Sequence, residues 1–411
     1  MNETTKKKFD LTKFKQRHIA LKILYFGWDY DGLADQANSE NTVEYHIITA
    51  LIKTCLIESR QKSKFNRCGR TDKGVSSYGQ VIDLNVRSNL IDETQTLGLF
   101  TPDDYTGPTA YADGTMKPPP DELKYVDMLN GVLPTDIRVI AWAPVGQEFS
   151  SRFSCQSRSY SYVFPKGDLC IESMKVASKY LIGSHDFRNL CSFDLKNGVT
   201  NHVRTIYSTS IRPVGGAPST DSQYSFYEFI IVGRGFLYHQ IRCIMTILFL
   251  VARKREVPEV VRDMLDINKC PARPKYCPAS PLPLSLFDCE YSVEDLKEWQ
   301  YNPKTLSNVY KRLKQLWLVY KTKTVMIERA LFGIEAKLDV CDPAERQEDN
   351  VLHNSKSDWK DFGLEHDSMS DSKYIPIMRR QREDSLEKKL ETMNSKPKKL
   401  KRDLQDEANN Q

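Results

Sequence analysis

The residues best suited to chemistry stand together in Cys68-Gly69-Arg70-Thr71-Asp72-Lys73-Gly74-Val75-Ser76. Two glycines bracket a carboxylate that is itself flanked by two cations. Gly69 and Gly74 let the backbone turn sharply and let another group come close. Arg70 and Lys73 favour the ionised form of Asp72. An ionised carboxylate at a loop tip is what a nucleophile or base requires. The same string also reads as a β-turn with solvated charges, and on residue types alone that is the commoner case. A second grouping is Arg152-Phe153 followed by Arg158-Ser159-Tyr160-Ser161-Tyr162. Tyr160 and Tyr162 share a strand face. Aromatics beside arginines can stack bases and grip phosphates, or simply pack at a sheet edge. A third is Gly233-Arg234-Gly235-Phe236-Leu237-Tyr238-His239-Gln240-Ile241-Arg242. Arg242 opens an apolar helix, where a guanidinium is costly unless it meets a carboxylate or phosphate. His239 could serve as a general acid but reads better as a satisfied structural histidine, and His185-Asp186-Phe187 reads as structural rather than half of a triad, because no Gly-x-Ser-x-Gly elbow accompanies it. Gly233-x-Gly235 lacks the third glycine of a dinucleotide fingerprint.

These groups need elements to position them. Ile19, Leu21, Ile23 and Tyr25 recur with period two and predict a strand. Asn41 with Glu44 resembles a capping box, and Val43, Ile47, Ala50 and Leu51 then share one helical face. Further strands are expected over 81–86, 138–142, 158–164, 204–212 and 227–232. Helices are expected over 175–182, closed by Gly183, over the long apolar region 234–255, over 257–265 behind Pro258, and from Ser292 with Asp295. Another is expected over 309–337, basic on one side through Lys311, Arg312, Lys314, Lys321 and Lys323. Strands and helices mix without strict alternation, which favours an α+β fold over a doubly wound sheet.

The 411 residues allow two or three domains. The division expected is a basic tail over 1–17, one half of a catalytic domain over 18–150, its other half over 151–291, a helical extension over 292–340 and a charged tail over 341–411, disordered apart from a local helix near Ser385 to Met393. Residues 93–122, rich in proline and glycine, read as a surface insertion in the first half. Lys plus Arg is 59 against 54 for Asp plus Glu, a net charge of +5, which does not by itself argue for nucleic acid. No segment approaches the roughly 20 apolar residues of a membrane helix. Cys243–Ala252 is closed by Arg253, Lys254 and Arg255 and reads as a core helix. The first residues lack the apolar stretch of a secretory leader. Ten scattered cysteines without Cys-x-x-Cys point to a reducing compartment. Cys270 and Cys277 with His185, His202 or His239 could in principle hold zinc, but close ligand pairs are missing and no metal is expected.

Taken in order, the motifs resemble the TruA-type tRNA pseudouridine synthase family. Gly69-Arg70-Thr71-Asp72-Lys73-Gly74-Val75 is similar to its catalytic loop, and Asn41-Thr42-Val43-Glu44 to its first helix start. Leu133-Pro134-Thr135-Asp136-Ile137, Arg158-Ser159-Tyr160-Ser161-Tyr162, Gly183-Ser184-His185-Asp186-Phe187, Arg204-Thr205-Ile206 and Phe236 to Arg242 follow in the family's order, over roughly residues 18–291. Cys68 to Gln80 and Tyr25 to Tyr30 resemble most the eukaryotic branch that modifies uridines 38 and 39 of tRNA. Two departures stand out: Pro283-Leu284-Ser285-Leu286 where the family often has Gly-Leu-x-Leu, and Thr246 where it usually has glycine.

The resemblance implies two ferredoxin-like α+β halves forming a central mixed or antiparallel sheet with flanking helices, and an active-site cleft between them. It implies that Asp72 starts cleavage of the C1′–N1 bond of a flipped uridine. Arg70 would fill the vacated space, Arg242 would pair with Asp72, Tyr160 would stack on the base with Leu284 beneath it, and Lys73 would bind substrate. It implies tRNA as partner, no metal or cofactor, and a possible homodimer. Basic segments at 6–17, 311–323 and 396–402 would add salt-dependent affinity for tRNA. The last reads equally as a nuclear localisation signal or a solvated tail, so nucleus, cytoplasm or both are expected. The alternatives are action at other RNA uridines and an RNA-binding protein without activity on the same scaffold. A metal-dependent nuclease would need a carboxylate or histidine cluster that the sequence does not show.

Overall fold

The period-two run around Ile19 becomes β1 (Gln16–Tyr25), buried along nearly its whole length. The computed structural model describes residues 9–94, 96–108, 121–195, 198–215, 225–341 and 374–395. They form an α+β fold with two compact units, Met1–Arg158 with Leu286–Trp317, and Ser159–Ser285 with Leu318–Gln411. The division therefore falls after Arg158 rather than at 150, and the chain returns to the first unit at Leu286.

In the first unit β1 pairs antiparallel with three strands. These are β3 (Ser76–Arg87), β4 (Leu99–Phe100) and β5 (Ile137–Pro144). β2 (Asn66–Arg67) pairs with β3 at Asp83 and Ile82. β10 (Leu284–Tyr291) lies beside β3, where Ser77 Oγ donates to the Leu286 carbonyl at 2.9 Å. Helix α1 (Val43–Lys53) buries Val43, Ile47, Ala50 and Leu51, the face expected, and the short α2 (Tyr125–Asn130) belongs to the same unit. Its cap differs from the expectation. Thr42, not Asn41, accepts the Tyr45 N–H at 3.2 Å, while Asn41 donates to the Asp29 carbonyl. Glu44 is fully buried and bridges Arg60 and Arg67. A buried carboxylate with two guanidiniums leaves neither sign uncompensated.

The 93–122 segment is more than a surface insertion, because both its described ends are stitched to β1 or to the residue just before it. Arg17 pairs with Glu122 at 2.8 Å and Lys15 with Glu93 at 2.5 Å, and Leu99 stands opposite Arg17. Ser292 Oγ accepts the Asp295 N–H as predicted, but no helix follows. Instead Gln300 exchanges backbone hydrogen bonds with Trp142, at 2.7 and 3.4 Å, which holds the chain extended until Pro303.

The second unit carries the strand order β6-β9-β8-β7. Its strands are β6 (Cys155–Pro165, entered from the first unit), β7 (Gly183–Asp186), β8 (Val203–Pro213) and β9 (Phe226–Gly233). Both β7–β8 and β8–β9 are antiparallel. Helix α3 spans Ile171–Lys179 and starts earlier than predicted, while α5 is the shorter Val260–Leu265. Between them α4 (Gln240–Ala252) buries every side chain except that of Arg242.

Residues 374–395 correct the reading of 341–411 as a tail. Glu256 accepts hydrogen bonds from the Tyr374 hydroxyl and the Ile377 N–H, at 2.5 and 2.6 Å. Arg273 pairs with Glu383, and Ile377 is fully buried. Helix α7 (Leu386–Ser395), where a local helix was expected, brings Glu387 to Arg188 at 2.9 Å. The basic runs at 6–8 and 396–402 lie outside the described residues. Among the described residues no helix is long and apolar enough to cross a membrane. The expected helix over 309–337 is part of α6 (Pro303–Cys341).

Candidate active site

The Gly69–Val75 loop is fixed from several sides within the first unit. The Cys68 N–H donates to the Val81 carbonyl at 2.8 Å, and Gln80 Nε2 donates to the Gly69 carbonyl at 2.8 Å. Thr71 is buried, with its hydroxyl 2.7 Å from the Tyr25 hydroxyl and its carbonyl accepting the Leu33 N–H at 3.1 Å. Burial pushes the Tyr25 phenol well up, so it stays a neutral hydrogen-bond partner. The Val75 N–H closes the turn on the Asp72 carbonyl at 3.0 Å, with Gly74 at φ +83°. Gly27 lies so near that a Cβ there would stand 1.9 Å from the Val75 carbonyl oxygen.

At the tip of this frame Asp72 is half-buried and Arg70 exposed. A half-buried carboxylate on a backbone that cannot drift suits a group aimed at one atom. Lys73 is exposed, and its ammonium meets Asp31 at 2.7 Å, with Asp31 held in turn by Ser39. This contact with Lys73 keeps the Asp31 carboxyl below its usual range. The structure therefore assigns Lys73 a tie to the 29–32 loop that the sequence did not suggest.

The second unit places Tyr160, Arg242 and Leu284. Tyr160 is buried on β6 and meets Phe236 edge-on, ring centres 5.1 Å apart. Arg242 lies in the first turn of α4, where Nε donates to the Ala279 carbonyl at 2.8 Å, and its own carbonyl accepts the Ala279 N–H at 3.1 Å. Thr246, the departure noted above, donates to the Cys277 carbonyl at 2.8 Å and so fastens the same 277–284 strand of chain. The Tyr162 hydroxyl donates to the Ser280 carbonyl at 3.0 Å, and Leu284 is buried at the end of this strap. His239 precedes α4 at φ +58°, its Nδ1 3.0 Å from Ser192 Oγ. Burial, then the charges of Arg242 and Arg273, push its imidazole down to about 4. His185 Nε2 meets the Ile182 carbonyl at 2.9 Å, in keeping with a structural role. Arg152 covers the ring of exposed Phe153, so that aromatic–arginine pair is also present.

Sequence spacing missed one cluster. Cys68, Cys155 and Cys289 converge in the first unit with their sulfurs within 4.8 Å of one another, all buried. The thiols of Cys155 and Cys289 hydrogen-bond to Cys68 and hold it well below the usual thiol range, against its burial. Arg158 adds its charge there and donates to the Cys68 carbonyl at 3.0 Å. Such a trio has the donor chemistry of a thiophilic ion, and equally that of small core residues. No signal in the chain could have found it, since its members sit in three separate segments.

The chain is similar to several known proteins. The tRNA pseudouridine synthase family profile matches residues 177–292, which include α4 and Leu284. A mouse tRNA pseudouridine(38/39) synthase is 42% identical over 82% of this chain and 68% of its own length. A probable tRNA pseudouridine synthase of Caenorhabditis elegans is 42% identical over 79% of each chain. The Saccharomyces cerevisiae tRNA pseudouridine(38/39) synthase is 44% identical over 71% of this chain and 61% of its own. The chain thus spans about two thirds of the length of its mouse and yeast relatives. With the α+β fold and the Gly-Arg-Thr-Asp loop, these likenesses define an isomerase of RNA uridines as its class. The chain belongs to the tRNA pseudouridine synthase family.

Proposed function

We propose that this chain converts uridine to pseudouridine at positions 38 and 39 of tRNA, with Asp72 as the catalytic carboxylate. The observation that carries the reading is the intact Gly69-Arg70-Thr71-Asp72 loop, rigidly held, in a chain 42–44% identical to relatives named for those positions. The target base leaves the stack, at a cost of a few kcal/mol. Arg70, exposed beside the carboxylate, fills the space the base vacates. The C1′–N1 bond breaks, uracil rotates, and a C1′–C5 bond forms. The proton of C5 is lost to solvent and N1 regains one, so no electrons are gained or lost overall. Asp72 acts on the sugar, on the base or on a sugar proton, and all three routes need the same ionised carboxylate. Arg242 serves as its ion-pair partner, and Tyr160 stacks on the flipped base with Leu284 below. A tRNA phosphate would compete with Asp31 for Lys73.

The reading includes a homodimer, salt-dependent tRNA contacts through the basic segments at 6–17, 311–323 and 396–402, and work in the nucleus, the cytoplasm or both. The test is to incubate unmodified tRNA transcripts with the protein and map pseudouridine by carbodiimide-dependent primer-extension stops. Stops one nucleotide 3′ of positions 38 and 39 are the expected result. Stops only elsewhere in the tRNA would overturn the positions, and tight binding without any stop would overturn the activity.

A further inference from the structure

Three buried cysteines meet behind the catalytic loop, and the uridine chemistry uses none of them. Cys68 follows β2 and directly precedes Gly69 of the loop. Cys155 opens β6, and Cys289 stands near the end of β10. All three belong to the first unit, and their sulfurs lie within 4.8 Å of one another. A tetrahedral zinc ion holds thiolates at about 2.3 Å, which sets neighbouring sulfurs about 3.8 Å apart. The trio therefore has to contract by no more than about 1 Å to close on one ion.

That spacing would also suit three small core side chains, and the charge beside them separates the two readings. Arg158 Nη2 donates to the Cys68 carbonyl at 3.0 Å and to the Arg152 carbonyl at 2.8 Å. Its charge reaches both Cys68 and Cys155. Neutral thiols offer a guanidinium drawn in from water no compensation. Three thiolates around a divalent ion leave one negative charge, and Arg158 carries the matching positive one. A tetrahedron also needs a fourth donor. Tyr291 stands beside Cys68 and gives its proton to the Ser151 carbonyl at 2.7 Å, so its oxygen offers a lone pair to that side.

We propose that Cys68, Cys155 and Cys289 bind one zinc(II) ion, with an oxygen donor at the fourth corner, as a structural clamp behind the catalytic loop. The ion takes no part in the isomerisation. It ties the residue that enters the loop to two strands that arrive from far along the chain. Binding releases the thiol protons to solvent, among them the one that Cys155 shares with the Ser157 carbonyl at 3.2 Å. The spacing of the cysteines in the chain hides such a site, because each ligand comes from a different segment.

The test begins with the metal content of the full chain, reduced, exposed to micromolar zinc(II) and dialysed. About one zinc per chain is expected. Cobalt(II) added to the chelator-stripped chain should give the intense near-ultraviolet band of sulfur-to-cobalt charge transfer, and zinc(II) should abolish it. Cys289→Ala should lower the zinc content to about a tenth or less, while Cys277→Ser, exposed in the second unit, should keep it. Zinc(II) should raise the unfolding temperature of the stripped wild type and leave that of Cys289→Ala unmoved. Circular dichroism checks the fold of each variant, and if Cys289→Ala does not fold, the cobalt spectrum of the wild type decides alone. A wild type that retains less than about a tenth of an equivalent of zinc would overturn the inference. So would a folded Cys289→Ala with undiminished zinc, cobalt bound without the charge-transfer band, or a disulfide joining any two of the three cysteines in the purified chain. The primer-extension result for pseudouridine is independent of every one of these outcomes.

Discussion

The Asp72 loop and the Arg242 helix start bear the two charges the proposed chemistry needs, and they are held by different means. The loop is fixed through its backbone and Thr71, by Tyr25 and Leu33 from well upstream and by Gln80 and Val81 on the strand that follows. Arg242 is fixed by burial of the remainder of α4 and by the 277–284 strap, which arrives from more than thirty residues downstream. The contrast teaches that a carboxylate on a loop is aimed through the backbone that carries it, whereas a guanidinium at the start of a buried helix is aimed by a bond to its own side chain.

The comparison can be broken first at Gly27. A Cβ there would overlap the Val75 carbonyl, so Gly27→Ala should cost more than about 3 kcal/mol and lower turnover along with it. Unchanged thermal unfolding would show that the loop yields easily and is not pinned. Next in size is Glu44→Ala, which strands Arg60 and Arg67 beneath the loop's own unit. The expected loss is about 3 kcal/mol by urea unfolding, tempered by the partial exposure of both arginines. On the other side, Thr246→Val keeps shape and removes the bond to Cys277. It should cost about 1 kcal/mol and reduce turnover a few-fold with little change in tRNA affinity. Affinity lost instead of turnover would mean that the strap serves binding rather than the aim of Arg242.

The second unit also carries a pH dependence. The His239 imidazole is pushed from its ordinary value down to about 4 by burial and then by Arg242 and Arg273. Between pH 6.5 and 4 the unfolded chain binds more protons at this site than the folded one, so stability rises with pH there. The contribution is complete above pH 6.5 and is lost as pH falls toward 4. His239→Asn should flatten the stability profile in that window, and an unaltered slope would show that the imidazole is not shielded as described.

What the sequence made legible follows the same division. The Asp72 loop could be read because its residue types and spacing are local, and the buried face of α1 could be read from its period. The cap of α1 could not, because Asn41 and Thr42 are both competent acceptors and only the path of the 29–32 loop decides between them. β10 escaped notice because Pro281 and Pro283 precede it and its pattern is short. The docking of residues 374–395 escaped because Glu383 and Glu387 read as tail charges until Arg273 and Arg188 are known to face them. The three cysteines were invisible for the same reason, since spacing carries no information about a contact made by three distant segments.

The account turns on Asp72 as an ionised carboxylate, and the most direct test is tritium release from tRNA labelled at C5 of uracil, with wild type and Asp72→Asn compared at equal concentration. The exchange keeps the shape of the side chain and removes its charge. Wild type should release tritium, and Asp72→Asn should be slower by about 10³-fold or more while binding tRNA and unfolding as wild type does. Release by Asp72→Asn at the wild-type rate would contradict the account at its centre.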